Sequence, residues 1–175
     1  MTKSTKDITK IAIFPALMAA TAGIVIPMGT LPSVTLQTLF VFLAGLLMKP
    51  KHGLISISVY VALGTIGLPI FSGYTGGIGV VIAQSLGFLS GFILVVPLIA
   101  YFKTINFIKN EYIRLFIILV IANIVIYILG ALYLTFVLEL SFWLIISGFT
   151  VYFVGDIIKI ITAIYIYIKM RSHLT

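Results

Sequence analysis

The sequence contains no cysteine, and only 9% of its 175 residues are charged. The absence of cysteine excludes disulfide bonds and thiolate metal ligands. The two histidines, His52 and His173, fall in a predicted loop and tail, far from the clustered ligands that a metal site needs. The sequence also contains no phosphate-binding G-x-x-x-x-G-K-[ST] motif, no His-Glu-x-x-His motif and no nucleophile elbow. We therefore predict no metal, no other cofactor and no ATP hydrolysis by this chain.

Hydrophobic residues, by contrast, make up 62% of the chain, and the mean hydropathy is +1.29. Soluble domains do not have this composition, whereas lipid solvates apolar side chains and requires only that the backbone be hydrogen-bonded. The apolar segments cover residues 11–27, 36–48, 53–68, 78–102, 113–136 and 142–168. We expect an all-α membrane protein in which residues 1–175 form a single domain that crosses the bilayer six times.

The net charge of +7 is explained by membrane orientation rather than by a nucleic-acid partner. Ten of the eleven basic residues lie before the first segment, on or beside alternate connections, or after the last segment, namely Lys3, Lys6, Lys10, Lys49, Lys51, Lys103, Lys109, Arg114, Lys169 and Arg171. The other connections, 28–35, 69–77 and 137–141, contain no lysine or arginine. The positive-inside rule places both termini in the cytoplasm, with lipid around a multi-pass protein.

The N-terminus imitates a secretory signal, because three lysines precede an apolar stretch and residues 20–22 read Ala-Thr-Ala. Cleavage there would leave five segments and break the alternation of basic connections. We therefore expect this segment to remain as the first membrane span.

The second and third segments, 36–48 and 53–68, are shorter than the ~20 residues of a straight span. Pro27 and Pro32 precede the second segment, so the chain should resist helix until about Leu36. Non-helical backbone at membrane depth is tolerated beside protein or a cavity. This stretch predicts extended chain before the second helix.

The connection around residues 67–79 contains five glycines in thirteen residues, together with Phe71 and Tyr74. Glycine lets the backbone approach a ligand closely or adopt positive φ. A flexible surface loop and a folded lid both fit the composition. The aromatic side chains favour the lid, because they suit burial better than a solvated tether.

Asp156 and Lys159 lie in the middle of the last segment and are the strongest chemical signal in the sequence. Their i,i+3 spacing places them on one face of a helix, and Tyr152 lies one turn earlier. Charges at bilayer depth cost a few kcal/mol, so they face the protein interior and usually have a function. One interpretation is an internal ion pair that fastens the last helix to its neighbours. The other is a binding site for a ligand with a carboxylate and N–H donors.

Small residues recur at three- and four-residue spacing along the first segment: Ala12, Ala16, Ala19, Ala20 and Gly23. Such a ridge allows another helix to pack closely. The partner helix could belong to this chain or to another membrane subunit, and periodicity does not separate the two.

Several of these stretches together resemble the BioY family, the biotin-binding S components of energy-coupling factor (ECF) transporters. The matching stretches are 32–41 (PSVTLQTLFV), 43–47 (LAGLL), 64–71 (GTIGLPIF), 76–79 (GGIG) and 155–159 (GDIIK). The resemblance covers nearly the whole chain in the right order. One stretch departs from it: the family commonly has Gly-Pro-Thr-Gly-Gly-Tyr where residues 83–88 read AQSLGF, so that only Gly87 is identical.

The resemblance implies a six-helix S-component bundle in a prokaryotic plasma membrane that captures biotin from outside and does not itself hydrolyse ATP. The substrate-binding residues that it implies, together with the signals above, are Thr35, Gln37, Phe71, Tyr74, Gln84, Tyr152, Asp156 and Lys159. It also implies that the first helix docks, through Ala12, Ala16 and Ala20, on a transmembrane coupling subunit that carries two ATPase subunits.

Other functions remain open at this point. Asp156 and Lys159 could serve as base and electrophile of a small intramembrane enzyme, or the chain could bind another carboxylated vitamin. A channel or assembly subunit is a further alternative, although channels need polar residues along several helices and segments one, two and five are nearly all apolar.

Overall fold

The computed structural model describes residues 3–28, 31–139 and 141–171, without the side chains of residues 3, 4, 6, 31, 32, 84, 138, 144 and 151. His173 and the side chain of Gln84 therefore lie outside the described part. The elements in chain order are α1 (Lys3–Ala20), β1 (Val25–Met28), β2 (Leu31–Thr35), α2 (Gln37–Leu47), α3 (Pro50–Thr65), α4 (Ile78–Val80), a π-helical turn (Val81–Ser85), α5 (Leu86–Phe102), α6 (Glu111–Leu138), α7 (Phe142–Gly148) and α8 (Thr150–Arg171).

The predicted helical class is confirmed, with helices in each of the six apolar segments. One described helical stretch, Glu111–Val137, is both long and apolar enough to cross a bilayer by itself. Gln37–Leu47 and Leu86–Phe102 are shorter apolar helices, in line with the reading that some spans are completed by non-helical chain.

The first helix ends earlier than predicted, at Ala20, and the chain continues into a two-stranded antiparallel hairpin. Val25 lies opposite Thr35 and Ile26 opposite Val34. Strand pairing satisfies backbone groups in a stretch where the prolines oppose a helix. The predicted extended chain is thus β2, and α2 begins directly after it at Gln37.

The last segment is divided at Phe149 into α7 and α8, a break that the apolar pattern did not predict. Gly148, a weaker helix former than the residues around it, lies at this break. The fourth segment also changes geometry, because a π-helical turn lies between α4 and α5.

Contacts made by basic side chains link several of the basic connections at one end of the bundle. The Lys103 ammonium, directly after α5, donates to the carbonyls of Gly45, Leu46 and Met48 at the end of α2, with distances of 3.1, 2.5 and 2.9 Å. Burial lowers the pKa of Lys103 to about 8, so the side chain is still mainly protonated at pH 7. Arg171 at the end of α8 pairs with Glu111 at the start of α6. This common end agrees with the charge pattern of the sequence.

The glycine-rich loop lies at the opposite end and is folded against the turn that follows α1. The Gly73 N–H donates to the Ala22 carbonyl at 2.7 Å, and the Tyr74 ring lies against Gly23 so closely that a Cβ there would be 2.3 Å from it. Gly67 and Gly77 have φ of +113° and +98°, which side chains rarely adopt. The loop therefore has a defined conformation rather than that of a solvated tether.

Helices α5 and α6 pack closely together and form one side of the protein interior. A Cβ on Gly87 would lie 2.4 Å from the Leu129 carbonyl oxygen, and one on Gly130 would lie 2.4 Å from the Phe88 ring. Both glycines therefore let the two helices approach at a distance that larger residues would prevent.

Candidate functional site

A cavity of about 90 Å³ lies between β2, α2, the glycine-rich loop, α5, α6 and α8. Six of the eight predicted substrate-binding residues line it: Thr35, Gln37, Phe71, Tyr152, Asp156 and Lys159. Tyr74 does not; its side chain is 58% exposed and lies on Gly23. The backbone of Gln84 belongs to the π-helical turn beside the cavity, where Ser85 supplies a lining side chain.

Asp156 is the centre of a hydrogen-bond network that joins three helices. It is 3% exposed, and its Oδ1 accepts hydrogen bonds from the Lys159 ammonium at 2.7 Å and from the Thr38 hydroxyl at 3.1 Å. Its Oδ2 accepts a hydrogen bond from the Tyr127 hydroxyl. The carboxylate is therefore held from α2, α6 and α8 at once, as buried charges require.

The Lys159 ammonium also donates to the Thr38 hydroxyl at 3.0 Å. Its side chain is 11% exposed and borders the cavity. An ammonium carries three N–H donors, and these two contacts among the described residues use two of them. The pair thus links α8 to its neighbours, and it still presents a cation to the cavity.

Thr35 and Gln37, both predicted as site residues, belong to a second chain of polar side chains beside the cavity. The Thr35 hydroxyl donates to the Gln37 amide oxygen at 3.1 Å, and the Gln37 amide donates to the Tyr60 hydroxyl at 2.5 Å. The Tyr60 hydroxyl in turn donates to the Ile70 carbonyl at 2.9 Å. This chain ties β2 to α3 and to the start of the glycine-rich loop, so it fixes the shape of the cavity.

Aromatic rings supply the apolar part of the site. Phe149 lies 5.8, 5.2 and 5.4 Å, between ring centroids, from Phe88, Tyr127 and Tyr152. Phe71 closes the cavity from the loop, and its ring occupies the space that a Cβ on Gly64 would need. A cation beside aromatic walls fits a small ligand that carries an anionic group and rings able to pack against those walls.

The lining residues that the sequence did not predict include Thr38, Tyr127, Ser85 and Phe88. Two of them had a visible signal. Tyr127 is a polar aromatic residue in the middle of the long apolar segment, and Thr38 directly follows Gln37. Ser85 and Phe88 lie in the stretch 83–88, where the chain departs from the family pattern.

Comparison with known proteins bears on this site. The sequence model of the BioY family matches residues 1–175. The chain belongs to the BioY family. Among BioY relatives, the probable biotin transporter of Pyrococcus horikoshii is 33% identical over 168 residues, which is 96% of this chain and 98% of that protein. The biotin transporter of Thermotoga maritima is 34% identical over 171 residues, with 95% and 96% covered.

The fold comparison gives the same assignment. The crystal structure of the S-component for biotin from an ECF-type ABC transporter matches with a TM-score of 0.85 and 29% identity, over 98% of this chain and 95% of that chain. The predicted S-component bundle is confirmed. The family is one of membrane transporters rather than enzymes, and the hypothesis of an intramembrane enzyme is therefore set aside.

Proposed function

We propose that this BioY chain is the biotin-binding S component of an ECF-type ABC transporter, a multi-pass protein of the cell membrane that captures biotin from the outer side. The observation that carries the proposal is the buried Asp156–Lys159 pair at the edge of an aromatic-walled cavity. The names of the relatives and of the matched structure support biotin as the ligand.

The chemistry of biotin matches the two parts of the cavity. Its carboxylate suits the Lys159 ammonium, because charge-assisted hydrogen bonds are the stronger kind. Its fused rings suit the wall to which Phe88, Phe92, Tyr127 and Tyr152 contribute aromatic side chains. The cavity of about 90 Å³ is smaller than the ~300 Å³ at which ligand pockets usually begin. Biotin therefore fits only after the walls move apart. Phe71, which closes the cavity from the glycine-rich loop, is the side chain whose movement would open it.

The first helix is the proposed docking face for a transmembrane coupling subunit with two ATPase subunits. Ala12, Ala16 and Ala20 are exposed on α1, while Phe14 and Met18 are buried against the rest of the chain. These three alanines are therefore not covered by packing within the chain, and they leave room for another helix to pack closely. ATP hydrolysis by partner chains agrees with the missing phosphate-binding motif.

The deciding experiment measures binding of a vitamin panel to the purified chain in detergent by calorimetry. We expect saturable binding of biotin at a fixed ratio to protein, and much weaker binding of pantothenate, nicotinate and folate, which also carry carboxylates. Tight binding of one of these with none of biotin would assign a different substrate. Conversion of biotin to a new compound would overturn the transporter assignment.

A further inference from the structure

Two residues that the sequence reading missed hold the charged pair of the site. We infer that Tyr127 and Thr38 are positioning residues: through Asp156 they set where the Lys159 ammonium meets the ligand carboxylate. This inference rests on the proposed function. It concerns how the cation is held rather than whether the chain binds biotin.

Tyr127 fixes one half of the carboxylate. Its hydroxyl is the donor to Asp156 Oδ2 among the described residues, and Asp156 is 3% exposed, so water has little access to replace it. A buried carboxylate oxygen that loses its donor is strongly disfavoured. Without the hydroxyl, Asp156 would turn toward the remaining donors and carry Lys159 with it.

Thr38 fixes the other half and also contacts the cation. Its hydroxyl donates to Asp156 Oδ1 and accepts from the Lys159 ammonium. Asp156, Thr38 and Lys159 therefore form a closed triangle. Because two N–H groups of the tetrahedral ammonium are directed at Oδ1 and at the hydroxyl, the direction of the third is determined.

The Tyr127 ring is itself held in place by packing. Its centroid lies 5.2 Å from that of Phe149, and the neighbouring Ile126 packs at Gly91, where a Cβ would lie 3.1 Å from the Ile126 Cα. Phenylalanine can occupy the same space, so Tyr127→Phe removes the hydroxyl and leaves the packing. Thr38→Val likewise keeps the shape and removes the hydroxyl.

The test is a double-mutant cycle with biotin binding to the purified full chain as the readout. We expect Tyr127→Phe to weaken biotin binding roughly tenfold, which is about the contribution of one hydrogen bond to a charged group. In a Lys159→Met background the same change should alter binding less than about twofold, because the cation that it positions is gone. Thr38→Val in the two backgrounds should give the same pattern.

Tyr133→Phe is the matched control, since Tyr133 lies on the same helix and its hydroxyl donates to the Ile82 carbonyl at 2.6 Å, outside the network. We expect it to leave biotin binding unchanged in both backgrounds. Thermal unfolding in detergent checks that each variant is folded. If Tyr127→Phe does not fold, the cycle with Thr38→Val decides.

The inference would be overturned if Tyr127→Phe and Thr38→Val weakened biotin binding by the same factor in the wild-type and Lys159→Met backgrounds. That result would mean that Tyr127 and Thr38 act independently of Lys159. That result would leave biotin binding by the wild-type chain intact, and with it the proposed function. Failure of the wild-type chain to bind biotin would instead reject the proposed function, before any variant is compared.

Discussion

The Ser56 hydroxyl donates a hydrogen bond to the backbone carbonyl of Ile11 at 2.7 Å, and so joins α3 to α1. Pro15 lies four residues after Ile11 and has no N–H, so it cannot give this carbonyl the i to i+4 hydrogen bond of a regular α-helix. Ser56 is fully buried. The serine therefore supplies the donor that the proline removes, and it fixes the helix that carries the exposed alanine ridge.

The first prediction follows from this contact. Ser56→Ala should lower the free energy of unfolding by about 1 kcal/mol, as for other hydrogen bonds between membrane helices. Adding Pro15→Ala should recover most of the loss, because that change supplies a backbone N–H for the Ile11 carbonyl. Denaturant unfolding in detergent measures both. Ser90→Ala is the control, since the Ser90 hydroxyl bonds the Gly87 carbonyl within its own helix. A double variant no more stable than Ser56→Ala would show that the proline does not leave the carbonyl unpaired.

The second prediction concerns the cation. Lys159→Met keeps the length of the side chain and removes its charge, so it should weaken biotin binding by about 2–5 kcal/mol. Biotin methyl ester lacks the carboxylate charge, so its affinity should fall much less on the same change. Titration calorimetry with both ligands measures this difference. Lys169→Met, on the same helix near its end, should affect neither ligand. If Lys159→Met weakens the binding of biotin and of its methyl ester equally, Lys159 does not bind the carboxylate.

The third prediction separates docking from binding. Ala16→Trp or Ala20→Trp should leave biotin binding by the isolated chain nearly unchanged, while abolishing uptake in cells that contain the whole transporter, because the bulk holds a partner helix away. Radiolabelled biotin uptake measures this, with expression checked. Ile121→Trp is the control, because Ile121 is 57% exposed on α6. Normal uptake by the α1 variants would place the docking face elsewhere.

The fourth prediction concerns orientation, and the absence of cysteine makes the experiment clean. A membrane-impermeant thiol reagent should label Thr75→Cys in intact cells, whereas Lys51→Cys and Lys109→Cys should react only after the cells are opened. The reason is that the basic connections remain on the cytoplasmic side. The reverse pattern of labelling would show that the protein has the opposite orientation in the membrane.

The helices and the charged pair were readable from sequence because each rests on local information. Apolar runs mark the spans, and an i,i+3 spacing brings Asp156 and Lys159 together on any helix. Thr38 and Tyr127 were not readable, since they reach Asp156 across 118 and 29 residues through helix packing that hydropathy does not encode. Tyr74 illustrates a different limit. It has φ of +56° between glycines, and in such a loop composition does not determine which way a side chain points.

The bond between Thr38 and Asp156 also has a consequence for how the chain matures. The ion pair is made by α8, which follows all the other described helices, and it is completed by a hydroxyl from α2. A nascent chain that has inserted its earlier helices therefore has no cation in the cavity. Under the proposed role of Lys159, the site for the carboxylate is complete only in the fully assembled bundle, and a ligand bound there would stabilise that state over partly inserted ones.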